Sequence, residues 1–266
     1  MSEMKRVFTL VLCALPCSYT VANENIFIIG TGMNIAPVYE GSKKYQVEPS
    51  LEASYAYATD NYGVFSLSVD GAAWAVGLTD NFTFATSVGY DDGRDEDIGV
   101  LGHKNKDLKG MGKLDGSVLV GFDLYYTLSD YQLYIMTDIA TKDRKYGGRQ
   151  IGRAVTVELG ANTQYEINQD WNIEYNLATV WGNKAHNQAY FGVSKQQASK
   201  SKFAEYDAGS SFKDVHGSAI LNYKVDKNLS LYSGIGAYYL VGDASKSTLT
   251  EQRSGFVGLA GIRYTF

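Results

Sequence analysis

Along most of this chain apolar and polar residues alternate with a period of two. The clearest run is Trp171 to Trp181: Trp171, Ile173, Tyr175, Leu177, Thr179 and Trp181 share one face, while Asn172, Glu174 and Asn176, joined by Ala178 and Val180, occupy the other. A period of two belongs to a β-strand with one apolar face. At about 3.3 Å per residue and a tilt near 40°, the two tryptophans stand roughly 25 Å apart along a membrane normal, the height of a transmembrane barrel's apolar band. Val155, Val157, Leu159, Ala161, Thr163, Tyr165 and Ile167 repeat the pattern against Thr156, Glu158, Asn162, Gln164 and Glu166. Tyr131, Leu133, Ile135 and Ile139 oppose Gln132 and Asp138; Phe82, Phe84, Val88 and Tyr90 oppose Thr83, Ala85, Ser87 and Gly89. Leu229, Leu231, Ile235, Ala237, Tyr239 and Val241 alternate with Ser230, Tyr232, Gly234 and Gly236. The last strand sets Phe256, Gly258, Ala260, Ile262, Tyr264 and Phe266 on one face, and an aromatic end of this kind is read by the barrel-insertion machinery.

Short polar turns fall at Thr59-Asn61, Thr79-Asn81, Ser129-Asp130, Asn168-Asp170 and Asp226-Asn228, and long polar connections at Ser42-Tyr45, Asp91-Lys113, Lys142-Ile151, Gly182-Lys202 and Gly242-Arg253. In outer-membrane barrels short turns face the periplasm and longer loops the cell exterior. With a tight reversal at Asp70-Gly71, the pattern predicts an all-β, antiparallel up-and-down transmembrane barrel of about twelve strands, with ten as the alternative. The strands run at roughly 26–37, 46–58, 62–69, 72–78, 81–91, 115–128, 131–142, 152–167, 170–181, 205–225, 228–241 and 254–266, and 62–78 is either one strand or two. The apolar face of 205–225 changes parity around Phe212 to Val215, which predicts a bulge.

Composition agrees. Glycine (28) and tyrosine (21) are abundant, 20% of residues are charged and mean hydropathy is −0.20, so a barrel with alternate residues in lipid fits better than a bundle of apolar helices. Prolines are scarce: Pro16 aside, Pro37 and Pro49 are expected near strand ends, where a missing amide donor costs little. The net charge of −5 and the lack of a basic stripe exclude nucleic acid as the expected partner. At the front, Lys5 and Arg6 precede the apolar Val7 to Pro16 and the small Thr20-Val21-Ala22, which predicts a cleaved signal peptide over 1–22 and a barrel over 23–266. Pro16 opposes a lipoprotein reading of Cys17. Cys13 and Cys17 both lie in the leader, so the mature chain is expected to have neither disulfide nor thiolate chemistry.

Little else suggests chemistry. His216, Ser218 and Asn222 share a strand face and resemble the serine hydrolase arrangement of outer-membrane phospholipase, which needs a nucleophile within reach of an oriented base. Val215, Gly217, Ala219, Leu221 and Tyr223 form the apolar face, so His216 and Ser218 point into the lumen, away from lipid, and an interior hydrogen-bonded histidine is expected. His103 and His186 lack spaced ligand partners. The run Asp91, Asp92, Asp95, Glu96 and Asp97 offers oxygen ligands to a divalent cation, but Arg94, Lys104, Lys106 and Lys109 point to a self-neutralising loop. Tyr190-Phe191-Gly192-Val193-Ser194 reads as a segment packed into the barrel mouth rather than a partner-binding patch, and Tyr125, Tyr134, Tyr232 and Tyr238 point inward. No catalytic, cofactor-binding or metal residue is assigned.

Several segments resemble the MipA/OmpV family of outer-membrane proteins: Pro37-Val38-Tyr39-Glu40-Gly41-Ser42 with Pro49 following, Asp91-Asp92-Gly93-Arg94-Asp95, Leu108-Lys109-Gly110-Met111-Gly112, Tyr190 to Ser194, Tyr206-x-Ala208-Gly209 and the terminal strand. Gly242-Asp243-Ala244-Ser245 departs by lacking the family's Ser-Pro. The resemblance implies a non-enzymatic protein without cofactor in the outer membrane of a Gram-negative bacterium, in contact with its lipid. It further implies a scaffold joining a lytic transglycosylase to a bifunctional penicillin-binding protein; the alternatives are a pore for small solutes or antibiotics and a surface adhesin.

Overall fold

A computed structural model describes residues 25–100 and 103–266; the expected leader lies outside the described residues. Twelve strands form one closed antiparallel barrel: β1 (Ile26–Pro37), β2 (Tyr45–Thr59), β3 (Gly63–Ser68), β4 (Gly71–Gly77), β5 (Phe82–Asp91), β6 (Ser117–Leu128), β7 (Tyr131–Ala140), β8 (Val155–Glu166), β9 (Trp171–Gly182), β10 (Ser211–Lys224), β11 (Leu229–Leu240) and β12 (Ser254–Thr265). Each pairs with its chain neighbours, and β1 closes the cylinder on β12 from Ile28↔Thr265 to Ile35↔Gly258. The stretch 62–78 is therefore two strands, joined at the reversal near Asp70.

Facing follows the pattern of alternation. Leu177, Ile235, Phe256 and Leu133 are exposed, whereas Asn172, Ala178, Tyr134 and Tyr232 are buried inside. A closed cylinder with a continuous outer coat of Leu, Ile, Val, Phe and Tyr is built for hydrocarbon, where every backbone polar group must find its partner within the sheet. Aromatics gather at the lower edge: Phe266 stacks on Phe27 (5.1 Å between ring centroids), and Trp171 on Tyr223 (4.5 Å).

The many glycines and tyrosines fit together on the inner wall. A Cβ on Gly160 would strike the Tyr134 ring, one on Gly261 or Gly32 would strike Tyr232, and one on Gly255 would strike Tyr238. The outer ends of these rings rest against the glycines, so the rings occupy the lumen beside β7, β8, β11 and β12, as their predicted inward facing requires.

The expected bulge is present. Val180 pairs with Asp214 and Trp181 with Phe212, leaving Lys213 as the extra residue of β10. The segment 205–210, expected as strand, precedes β10 and contributes only a bridge between Tyr206 and Val193. Pro49 corrects a second expectation. It lies inside β2 opposite Met33, not near a strand end; what permits it there is the edge it occupies, described below.

The connections read as long polar loops hold the largest apolar core among the described residues, with the expected mouth-packing segment Tyr190 to Ser194 at its centre. Val38, Tyr39, Leu108, Met111, Leu114, Tyr146, Tyr190, Phe191, Val193, Phe203, Leu240 and Leu249 pack together over the extracellular end. The Gly182-Lys202 connection contains two short helices, α1 (Lys184–Phe191) and α2 (Lys195–Ala198).

Candidate functional site

The two features richest in chemistry are this cap and the polar wall beneath it. Local signals shape the cap. Asn183 caps α1 by accepting from His186 N–H (2.9 Å), and α1 ends where Gly192 N–H donates to Gln188 O (3.2 Å). Ser194 and Gln197 form a reciprocal capping box on α2. Tyr190 to Ser194 is thereby buried, as a packed segment should be.

The Asp91-to-Asp97 run separates into distinct structural roles. Asp91 accepts from Gly93 N–H (2.9 Å), from Tyr190 Oη (2.6 Å) and from Arg144 Nη1 (2.9 Å). Arg94 donates to the carbonyls of Tyr190 (2.8 Å) and Ala189 (3.1 Å) and to Tyr146 Oη (3.0 Å), so a cation sits at the C-terminal end of α1, where the helix dipole favours it. Arg94 and Arg144 approach the Tyr190 ring at 5.9 and 5.8 Å. Burial by itself would lower the Arg144 pKa, but Tyr190 and Asp91 outweigh it and hold it above the ordinary value. Burial pushes the Tyr39 hydroxyl pKa up, assisted by Glu251 and Asp107. Glu96 accepts from Gly110 N–H (2.9 Å) and Gly112 N–H (3.0 Å). Two carboxylates of the Asp91-Lys113 loop pair across loops: Asp91 with Arg144, and Asp107 with Lys44 (2.7 Å).

From the cap a chain of charges descends along the inner wall. The bulge lets the consecutive Lys213 and Asp214 both face inward, which a regular strand forbids. Lys213 Nζ lies 2.6 Å from Glu40 in the cap and 2.6 Å from Asp214. Asp214 meets His216 Nδ1 at 2.8 Å, and His216 Nε2 lies 3.9 Å from Glu158. Tyr134 Oη donates to Glu158 (2.8 Å) and accepts from Asn176 (2.8 Å). Lower down, Asn222 donates to Asn172 (2.9 Å) and Glu174 (2.8 Å), and Arg263 pairs with Glu52 (3.0 Å) over the Tyr232 ring.

This geometry commits His216 and Asn222 of the hydrolase-like set to other partners. His216 is engaged by Asp214 and Glu158, Asn222 by Asn172 and Glu174, and Ser218 Oγ is buried without a hydrogen-bond partner. His186 lies on α1 with its ring 4.9 Å from Tyr190; the His103 side chain lies outside the described residues. Among the described residues, no three His, Cys, Asp or Glu side chains group where they could hold a metal ion. The pattern did not reveal Glu40 as the partner of Lys213. Its signal was the polar pair Lys213-Asp214 at the parity change, two adjacent charges that cannot both face lipid.

Phe266 N–H donates to Phe27 O (2.9 Å), tying the last residue across the β12–β1 seam. On the periplasmic rim Asp170, Asp226 and Lys227 are exposed. Asp226 is committed to its turn: Asn228 and Leu229 N–H both donate to it (2.8 Å each) and hold its carboxyl below the ordinary value.

The model of a family described as MltA-interacting protein MipA matches residues 29–266. No curated sequence matches the chain. In structure it is similar to an outer membrane channel from Pseudomonas putida F1 (12% identity, 94% of this chain and 99% of that chain covered, TM-score 0.44). It is also similar to the CymD monoaromatic hydrocarbon channel (11%, 95% and 91%, TM-score 0.40) and to the KdgM porin (11%, 90% and 99%, TM-score 0.39).

Proposed function

Because the chain belongs to the family of the MltA-interacting protein MipA, we propose that this outer-membrane barrel is a non-enzymatic scaffold. It holds a murein-cleaving lytic transglycosylase and a bifunctional penicillin-binding protein at the inner surface of the membrane. The observation that carries the reading is the asymmetry of the two ends. The outer end is covered by a packed apolar core, while the inner end presents short turns with exposed charges. Murein enzymes work in the periplasm, so only the inner rim can reach them. The engagement of His216 by Asp214 and of Asn222 by Asn172 and Glu174 supports a role without hydrolysis.

The test is capture of a purified lytic transglycosylase and penicillin-binding protein by the barrel in detergent. Asp170→Lys combined with Lys227→Glu reverses rim charges while keeping Asp226, the carboxylate that accepts from the turn amides. Exposed charge contacts are salt-sensitive, so capture should fall with this variant and with rising salt. Changes at the exposed Lys145 or Lys195 on the outer side should leave it intact. Capture that survives the rim reversal and is lost with the outer changes would refute the scaffold. Ion conduction by the same preparation would favour a pore.

A further inference from the structure

One arc of the barrel wall is low. Between β2 and β5 stands only the β3–β4 hairpin, which turns back at Asp70; just below the tip Val69 N–H donates to Ala53 O (3.1 Å). β2 continues upward from there, and its Tyr45 to Glu52 portion pairs with β1, Pro37↔Tyr45 to Gly30↔Glu52. Among the described residues no strand lies along its other edge, and β5 meets β4 only as far up as Gly89 opposite Gly71. At the hairpin tip three interstrand steps of about 4.8 Å, roughly 14 Å, separate the axes of β2 and β5, and β5 continues above it only to Asp91. From Ala53 to Tyr45 a tilted strand climbs about 20 Å, all in the outward half of the wall. Above, Lys44 Nζ and Asp107 Oδ1 meet at 2.7 Å and close the frame. The result is a window in the wall.

Pro49 stands on its edge. Ala53 O points toward β3, and backbone groups alternate along a strand, so Leu51, Pro49, Val47 and Tyr45 present theirs to the opening. Proline removes one unpaired donor there and blocks the pairing of a further strand. The edge is therefore poorly suited to a second copy of the barrel or to an extended peptide.

The rim is amphiphilic. Leu51, Leu67, Val69 and Val88 are exposed on the outside. Inside, the wall carries the small hydroxyls of Ser50, Ser68 and Ser87, with the Tyr232 hydroxyl of β11 reaching Ser50, and Glu48 faces the lumen. Glu48 accepts from the uncharged Gln46 amide (2.5 Å) and has no cation within ion-pair distance among the described residues, whereas Glu52 beside it is matched by Arg263. Across the lumen β6 and β7 add Asp123 and Asp138.

We infer that the window is a lateral entrance for a cationic single-chain amphiphile: its apolar chain stays in lipid between Leu51 and Val88, and its charged head enters to meet Glu48. The inference does not depend on the scaffold reading.

The predicted absence of cysteine from the mature chain makes the test direct. Ser50→Cys at the window and Asn176→Cys on the far inner wall are each placed in lipid nanodiscs and checked for heat-modifiable mobility. Labelling by N-dodecylmaleimide, each rate divided by that with N-ethylmaleimide, should be at least about tenfold faster at Ser50→Cys, a discrimination of about one decade in access. Submicellar dodecyltrimethylammonium should slow that labelling and dodecyl sulfate should not, and adding Glu48→Gln should abolish the difference. Labelling no faster than at Asn176→Cys, or slowed equally by both amphiphiles, would overturn the proposal.

Discussion

The two sides of the barrel are built on different plans. From β6 round to β12 the wall is tall, its inner face packed with Tyr134, Tyr232 and Tyr238 over glycines and threaded by the Glu40–Lys213–Asp214–His216–Glu158 chain. Between β2 and β5, at the β3–β4 hairpin, it is low, lined by serines and alanines and bordered by the unpaired edge of β2. The difference teaches that closing a sheet does not make it uniform. One side holds the shape, and the other is free to leave a gap.

The sharpest way to break this comparison is to remove charge from the tall side. Lys213→Met takes from buried Glu40 the cation paired with it and leaves Asp214 with His216 alone, and losing one partner of a buried pair costs about 3–5 kcal/mol. The urea midpoint of the heat-modifiable gel shift should fall accordingly, whereas Glu48→Gln on the low side should scarcely move it. Equal losses would erase the distinction.

Lipid-facing arginines probe the same contrast from outside. Leu177→Arg, mid-wall on β9, should cost about 2–4 kcal/mol. Leu51→Arg, beside the window, should cost less than half of that, because its guanidinium can turn through the opening toward Glu48. Matching costs would mean that the wall is continuous there.

Inner packing gives a smaller signal. Gly160→Ala drives a methyl group into the Tyr134 ring, an overpacking of about 1–3 kcal/mol. Ser66→Leu on the short hairpin should cost under about 1 kcal/mol if that part of the lumen is open.

The smallest effect belongs to the periplasmic turn of Asp226. Its carboxyl is held below the ordinary value, so its contribution is full above the unfolded carboxylate pKa of about 3.9 and is lost as pH falls through the lower folded value. Amide exchange of Asn228 and Leu229 should quicken only in that acid window, and not between pH 5 and 8.

How far the fold was legible follows from what each region faces. The strands were readable because lipid demands an apolar residue at every second position, and even the bulge showed as a parity slip between Phe212 and Val215. Pro49 was placed near a strand end because a closed barrel leaves no free edge to expect. The cap was opaque for another reason. Apart from Tyr190 to Ser194, its members Leu108, Met111, Tyr146 and Leu249 come singly from several polar connections, and no one of these has a period to read. Helix α1, with Asn183 as its cap, is too short for a 3.6-residue pattern to emerge. Glu40 and Lys213 lie 173 residues apart, beyond any local signal.

The cap also dictates an order of assembly. Its members run from Val38 to Leu249 and meet only when the first and last strands are already side by side. Contacts of such long sequence separation bear their loop-closure entropy before they return anything, so they form late. A barrel stalled before its seam closes would leave those apolar loops unburied on the far side of the membrane. Burial of the cap would then serve as a kinetic latch: resistance of the Asp91-Lys113 loop to added protease should appear only after the β1–β12 seam has formed.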